Sequence, residues 1–439
     1  MGSDRYTRDA LLRRCSYGQR GLSYDMDNPS YRAYGYRWVV LGVFMLVAAV
    51  NQLAWITFAP ITSQAAAFYG VSDLEIGLLS LVFMAVFIVM SFPASWVIDT
   101  YGIRVGVGVG AALTGGFALL RGLVPGDYAW VLGAQIGIAV GQPFILNAVT
   151  KTAARWFPAR ERATAAGLGM LAIYLGILVG LILTPALVAS TSLPTALKAY
   201  GIAAVLFAAA FFALVRERPP TPAGSEERSL VLDGLKTILH DRTFLLLVLL
   251  FFIGLGAFNA ATTWIEDIVR PRGFTSAQAG WVGGVILAGG ILGAIVLPAL
   301  SDRLGKRVPF MLIALSGAVP GLLGLALLES YGLLLLSAFV FGFFLLSSGP
   351  IGFQYAAEIT HPVPEGTSNG LLLLAGQVSG ILFIVGMDVL KAPGTGSMTS
   401  SLLILTGLLV LCLLIATCFR EPKGLARSPA LKDEPGARS

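Results

Sequence analysis

Charge is what this sequence lacks most. Only 12% of its 439 residues are Asp, Glu, Lys or Arg, whereas a soluble domain carries roughly 25% so that its surface can hold water. With 56% hydrophobic residues and a mean hydropathy of +0.80, most of the surface is predicted to face lipid. Histidine and cysteine are nearly absent as well. His240 and His361 lie in polar segments, and no His-x-x-x-His or Cys-x-x-Cys occurs. Cys15, Cys412 and Cys418 include none in a predicted outer loop, which excludes a disulfide framework and leaves no ligand set for a resident metal. No cofactor is expected. Catalytic constellations are missing too: the apolar stretches hold no Ser/His pair and no paired aspartates, so a membrane enzyme is set aside. Residues 1–36 contain no apolar run, and hence no cleavable signal peptide is expected. The sequence pI is near 9.3, but the basic residues are not gathered into one face, and no nucleic-acid partner is expected.

What is present is a series of long apolar stretches. They fall at 38–63, 74–97, 105–123, 128–150, 163–189, 197–215, 243–265, 277–300, 308–328, 331–357, 367–390 and 399–419. About 20 apolar residues cross a bilayer, so the pattern predicts an all-α membrane protein with twelve transmembrane helices. Pro60 and Pro93 interrupt the first two stretches. Orientation follows from the Lys and Arg bias. With the N-terminus inside, 25 of the 30 basic residues are cytoplasmic and 5 are outside, namely Arg121, Lys198, Arg270, Arg272 and Lys391. Both termini are therefore expected in the cytoplasm, with the chain multi-pass in the plasma membrane. The polar stretch 216–242, which holds Pro219, Pro220, Pro222, Gly224, Glu226 and Glu227, divides the spans six and six. The expected units are a tail at 1–36, a first six-helix bundle at 37–215, a linker at 216–242, a second bundle at 243–419 and a solvated tail at 420–439.

The halves repeat each other. Asp99-Thr-Tyr-Gly102-Ile-Arg104 follows the second span and Asp302-Arg303-Leu-Gly305-Lys306-Arg307 follows the eighth. Pro158-x-x-Glu161 opens the fifth span and Pro362-x-x-Glu365 the eleventh. Internal repeats of this kind build many transporters. The Asp-x-x-Gly-x-Arg loops resemble the signature of the major facilitator superfamily, and the resemblance covers the whole chain. It implies two bundles that rock around a central cavity. Glycine permits a tight turn, and the carboxylate and base can pair across the cytoplasmic face as a latch. Asp99, Gly102, Arg104, Asp302, Gly305 and Arg307, with Glu161 and Glu358, are the candidate gating residues; ordinary charge capping of helix ends is the plain alternative.

Proton-coupled drug antiporters of that superfamily carry an arginine in the fourth span and a Gly-Pro pair in the fifth. Here Gln135 stands in the fourth, and Gly176 and Gly180 have no adjoining proline. No ionisable residue occupies a span centre, whereas Glu266, Asp267, Glu358 and Asp388 lie near span ends. Intramembrane ionisable groups are the usual proton relays, so facilitated transport is expected.

A narrower resemblance rests on Asn51-Gln-Leu-Ala-Trp55 in the first span, Gly141-Gln142-Pro in the fourth and Arg155-Trp-Phe-Pro158 in the next loop. It rests further on Gly352-Phe353-x-x-Ala-x-Glu358-Ile-Thr-x-Pro362, Glu365-Gly-Thr-Ser368 and Gly376-Gln377. Together they are similar to the feline leukaemia virus subgroup C receptor-related family. The resemblance implies a uniporter for choline or ethanolamine, with haem as another suggested cargo. It also implies a site made by a tryptophan of span one, glutamines of spans four and eleven and a tyrosine of span seven. Trp55, Gln142 and Gln377 match three of these positions, while Asn259 stands where the tyrosine would be. Loss of that aromatic wall favours a smaller or more polar amine than choline.

Counted from the cytoplasmic charges at 1.5 Å per residue, Gln142 is about 20 Å and Gln377 about 18 Å deep, near mid-membrane. A buried amide in lipid needs a partner, so Asn51, Gln52, Gln142, Asn259 and Gln377 either pair between helices or line a wet cavity. Trp264 and Trp281 read as interfacial anchors. Gly106-Val-Gly108-Val-Gly110 lies inside an apolar span, where helix packing explains it better than phosphate binding. A haem site inside the bilayer would have to use Met, Tyr or Cys, such as Met84, Met170 or Tyr174. The expected partners are a small-molecule solute and the bilayer, with the protein monomeric. The alternatives are a proton-coupled facilitator, a haem exporter and a receptor or sensor without transport.

Overall fold

The computed structural model describes residues 34–221, 238–361, 363 and 365–421. Cys15, most of the two tails, linker residues 222–237 (with Gly224, Glu226 and Glu227), Pro362 and the Glu365 side chain lie outside the described residues. All regular structure among the described residues is helical. Twelve helices are long and apolar enough to cross a membrane: α1 (Arg37–Tyr69), α2 (Asp73–Tyr101), α3 (Ile103–Leu123), α4 (Tyr128–Trp156), α5 (Arg160–Ser190), α6 (Leu193–Leu214), α7 (Arg242–Thr263), α8 (Ser276–Leu304), α9 (Val308–Leu327), α10 (Tyr331–Thr360), α11 (Gly366–Val389) and α12 (Thr399–Ala416).

The two early prolines behave differently. In α1 the helix stops at Ile56, passes through a 3-10 turn at Ala59–Ile61 and resumes at Thr62. Pro60 lacks the N–H that would bond the Ile56 carbonyl, and its ring clashes there. Pro93 lies inside α2, which runs on without interruption. The second helix of each half opens on the same device. Ser72 and Glu75 form a capping box on α2, and Thr275 and Gln278 form one on α8.

Helices α1–α6 pack on one another and α7–α12 do likewise, and the halves meet mainly along α5 with α8 and α2 with α11. Lipid offers no hydrophobic drive for helix association, so close approach at small residues supplies the packing energy. Gly289 and Gly293 of α8 lie against the backbone of Phe339 and Phe343 in α10, with no room for a Cβ at either position. Gly106, Gly108 and Gly110 meet Ile98, Phe212 and the Gly141 carbonyl, so their role is helix packing. Because the number of spans is even, the first and last helices end on one side. That side, carrying Arg37, the ends of the linker and Phe419, is called the linker face; the opposite side is the distal face.

Candidate functional site

The break in α1 falls beside a cavity between the halves. The cavity, of about 670 Å³, is lined from both bundles by Gln52 and Trp55 of α1, Gln142 of α4, Asn259 of α7 and Gln377 of α11. That volume lies within the range of small-molecule sites. Phe83, Met84 and Phe87 of α2, Met170 and Tyr174 of α5, and Phe251 and Phe353 supply apolar and aromatic walls. No Asp, Glu, Lys, Arg or His is among the described lining residues.

The polar groups are held unequally. Trp55 is 5% exposed, and its indole N–H donates to the Ser80 carbonyl at 3.2 Å. Gln52 donates to Asn51 Oδ1 at 3.2 Å, and Asn259 to the Gly376 carbonyl at 3.5 Å. The Gln142 and Gln377 amides line the cavity with no hydrogen bond to another described residue. Asn51 does not join them. It is fully buried and donates to Thr114 Oγ1 at 3.0 Å and to the Ile138 carbonyl at 3.4 Å, so it binds α1 to α3 and α4. One residue rotates 100° around a helix, which is why neighbours Asn51 and Gln52 serve different surfaces.

The cavity extends toward the linker face along Thr164 and Gly167 of α5 and Pro350 and Phe353 of α10. On that face lie the residues of the two Asp-x-x-Gly-x-Arg loops. Asp99 pairs with Lys151 at 2.5 Å rather than with Arg104. Arg104 offers its backbone N–H to Glu217 at 2.7 Å and its guanidinium to the Phe212 carbonyl at 3.5 Å. Glu217 also takes the Ile103 N–H at 3.2 Å and pairs with Arg155. Gly102, at φ 91°, leaves space that a Cβ would take from Glu217. In the second half Arg307 pairs with Asp302 and, at 3.0 Å, with Glu358. Burial opposes its charge, but these two carboxylates hold its pKa above the usual value. Glu421 accepts the backbone N–H groups of Arg307 and Val308, as Glu217 does in the first half. Gly305 turns the chain at φ 62°. Glu161 pairs with Arg37 at 3.0 Å. Each of these pairs stays within one bundle, so among the described residues the motif side chains form two separate intrabundle clusters. Arg216-Glu217 and Arg420-Glu421 repeat at the ends of the two halves, the sequence signal that identifies both carboxylates.

The ion pairs that cross between bundles, among the described residues, lie at the distal face. Asp73 of α2 accepts from Arg270 at 2.8 Å and Lys391 at 2.7 Å, and the same two cations bind Asp267 at 2.8 and 2.7 Å. Burial raises the Asp267 carboxyl to about 6, with Lys391 and Arg270 opposing the rise. Beside this network Ser63 donates its backbone N–H to Glu266 at 2.8 Å, and Ser276 donates to the same carboxylate at 2.9 Å. Trp264 is not an interfacial anchor. It is wholly buried, donates to the Ile384 carbonyl at 3.0 Å, lies 5.8 Å from the Lys391 ammonium and packs on Gly77 of the other half. Trp281 is 54% exposed, as an anchor would be. The molecule is thus tied shut at one face while its cavity runs toward the other.

Comparison with known proteins agrees with this architecture. The Major Facilitator Superfamily profile matches residues 44–384 and 272–437. Solute carrier family 49 member A3 from Danio rerio is 34% identical over 84% of this chain and 81% of its own. The choline/ethanolamine transporter FLVCR1 from Felis catus is 30% identical over 86% of this chain and 72% of its own. The crystal structure of a bacterial homologue of the human lysosomal transporter Spinster, inward-facing and unoccupied, superposes with a TM-score of 0.70. It is 15% identical, and the match covers 91% of this chain and 100% of that one, a likeness of fold. The chain belongs to the Major Facilitator Superfamily and is a multi-pass membrane transporter.

Proposed function

We propose that the protein is a facilitative uniporter for a small cationic or zwitterionic amine of the choline and ethanolamine kind, bound between the bundles by Trp55, Gln52, Gln142, Asn259 and Gln377. The observation that carries this reading is the cavity itself: an indole and four amides in a space with no ionised side chain among its described lining residues. A solute cation gains from an aromatic face, and amides serve its polar end without fixing a charge of their own. With no acid or base among its described lining residues, the pocket offers no evident carrier for a coupled proton. The relatives named as choline/ethanolamine transporters support the same class of cargo. Asn259 in place of an aromatic side chain favours ethanolamine-like amines over trimethylammonium ones.

In this reading the linker face is cytoplasmic in the plasma membrane, and the cavity faces inward. Gly224→Cys should therefore resist an impermeant thiol reagent in intact cells; labelling there reverses the orientation. Purified protein in liposomes should equilibrate radiolabelled ethanolamine and choline without a pH gradient. Uphill accumulation that tracks a pH gradient and vanishes with an uncoupler identifies a proton-coupled carrier instead. Binding without uptake points to a receptor.

A further inference from the structure

Arg121 is the one basic residue of the five expected outside that the fold draws deep into the first bundle. It sits in the last turn of α3 at 1% exposure. Its Nη1 donates to Gln135 Oε1 of α4 at 2.6 Å and to the Ala54 carbonyl of α1 at 3.2 Å. Gln135 turns its own Nε2 onto the same carbonyl at 3.1 Å. The Ala54 carbonyl thus accepts two hydrogen bonds from outside its helix, where α1 gives way to the Pro60 turn. The guanidinium also faces the Phe58 ring at 5.6 Å, just beyond the break. No carboxylate lies within ion-pairing distance of Arg121 among the described residues. Holding a guanidinium there without a counter-ion is costly, and a merely structural contact does not need a charge.

About one turn earlier along α1, at Asn51, the same two helices hold it again. Thr114, seven residues before Arg121 on α3, receives Asn51 Nδ2, as does the Ile138 carbonyl, three residues after Gln135 on α4. Asn51 in turn holds Gln52. Two polar rungs therefore back the stretch of α1 that presents Gln52 and Trp55 to the cavity. The lower rung is neutral, and the upper rung, at the break, is charged.

We propose that Arg121 and Gln135 are positioning residues for cargo recognition: by clamping the Ala54 carbonyl they set the angle of α1 at its break and hold the Trp55 indole where a solute meets it. The assignment rests on the binding site proposed above. Neither residue lines the cavity, so neither touches cargo. Their effect passes through the peptide that joins Ala54 to Trp55.

Two measurements on the full-length protein test this. In protein labelled with 5-fluorotryptophan, the Trp55 fluorine resonance is assigned by its loss in Trp55→Phe. Arg121→Gln and Gln135→Ala should move that resonance and leave the other six tryptophans where they are, with Arg121→Lys displaced less. In liposomes, Arg121→Gln should raise the KM for ethanolamine five- to twentyfold with kcat within twofold. Combined with Trp55→Ala it should add less than twofold to the single-variant KM, the non-additivity of residues that act together. An unmoved Trp55 resonance, or multiplicative KM effects in the double variant, overturns the proposal. A wild-type protein that carries neither ethanolamine nor choline refutes the reading of the cargo, while the fluorine shift still decides the clamp. Should Arg121→Gln fail to fold, Gln135→Ala and Arg121→Lys carry the same comparison.

Discussion

Asp73 and Lys391, 318 residues apart, meet at 2.7 Å across the distal boundary between the two bundles. The same carboxylate holds Arg270 at 2.8 Å, so one side chain of the first half fastens two cations of the second. Asp73→Ala should loosen distal closure. Both groups are partly exposed, which limits the effect to about 1–2 kcal/mol, or a five- to thirtyfold shift toward the distal-open state. Distances between spin labels on the distal ends of α1 and α7 report this. An unchanged distribution assigns closure to the Glu266 and Trp264 contacts.

Acid should favour the closed distal face. Asp267 is raised to about 6 by burial in this conformation, against 3.8 in its ordinary hydrated state. The closed form then binds the extra proton, so closure strengthens as pH falls from about 6 toward 4, by up to about tenfold in the closed-to-open ratio per pH unit. Above pH 7 the ratio should be flat with respect to this group. The same label pair checks the profile, and Asp267→Asn should remove the dependence.

At the linker face, Glu217 should matter more than Asp99. Glu217 accepts two backbone N–H groups and pairs with Arg155; the Asp99 side chain is 55% exposed and pairs with Lys151. Asp99→Asn should cost about 0–1 kcal/mol of stability and change solute affinity less than about tenfold. Glu217→Ala should cost about 1–3 kcal/mol. Thermal unfolding in detergent ranks the two, and the reverse order would contradict the geometry.

Trp55→Ala should weaken binding of an amine cation by about 1–2 kcal/mol, and Trp55→Phe less. Asn259→Tyr should restore an aromatic wall and tighten choline relative to ethanolamine by about 0.5–2 kcal/mol. Competition by an uncharged isostere in the uptake assay is the control. If it binds wild type as well as the cation does, the indole is only packing.

Twelve spans, the twofold repeat and the turns at Gly102 and Gly305 are all legible in the sequence, because each depends on local properties: apolar length, turn chemistry and the spacing of like motifs. Depth counting likewise puts Gln142 and Gln377 at the level where both line the cavity. Partner choice is another matter. Asp99 takes Lys151 instead of Arg104, Asp73 reaches two cations of the other half, and Arg121 turns inward to a carbonyl beside Trp55. Asn51 and Gln52, adjacent and equally polar, separate into a brace and a cavity wall. Such outcomes depend on how helices rotate and pack against one another, where a few ångströms or 100° decides which polar group is within hydrogen-bonding reach. The sequence by itself therefore determines what crosses the membrane and where the chain turns, and the tertiary structure decides which face is shut and which side chains line the cavity.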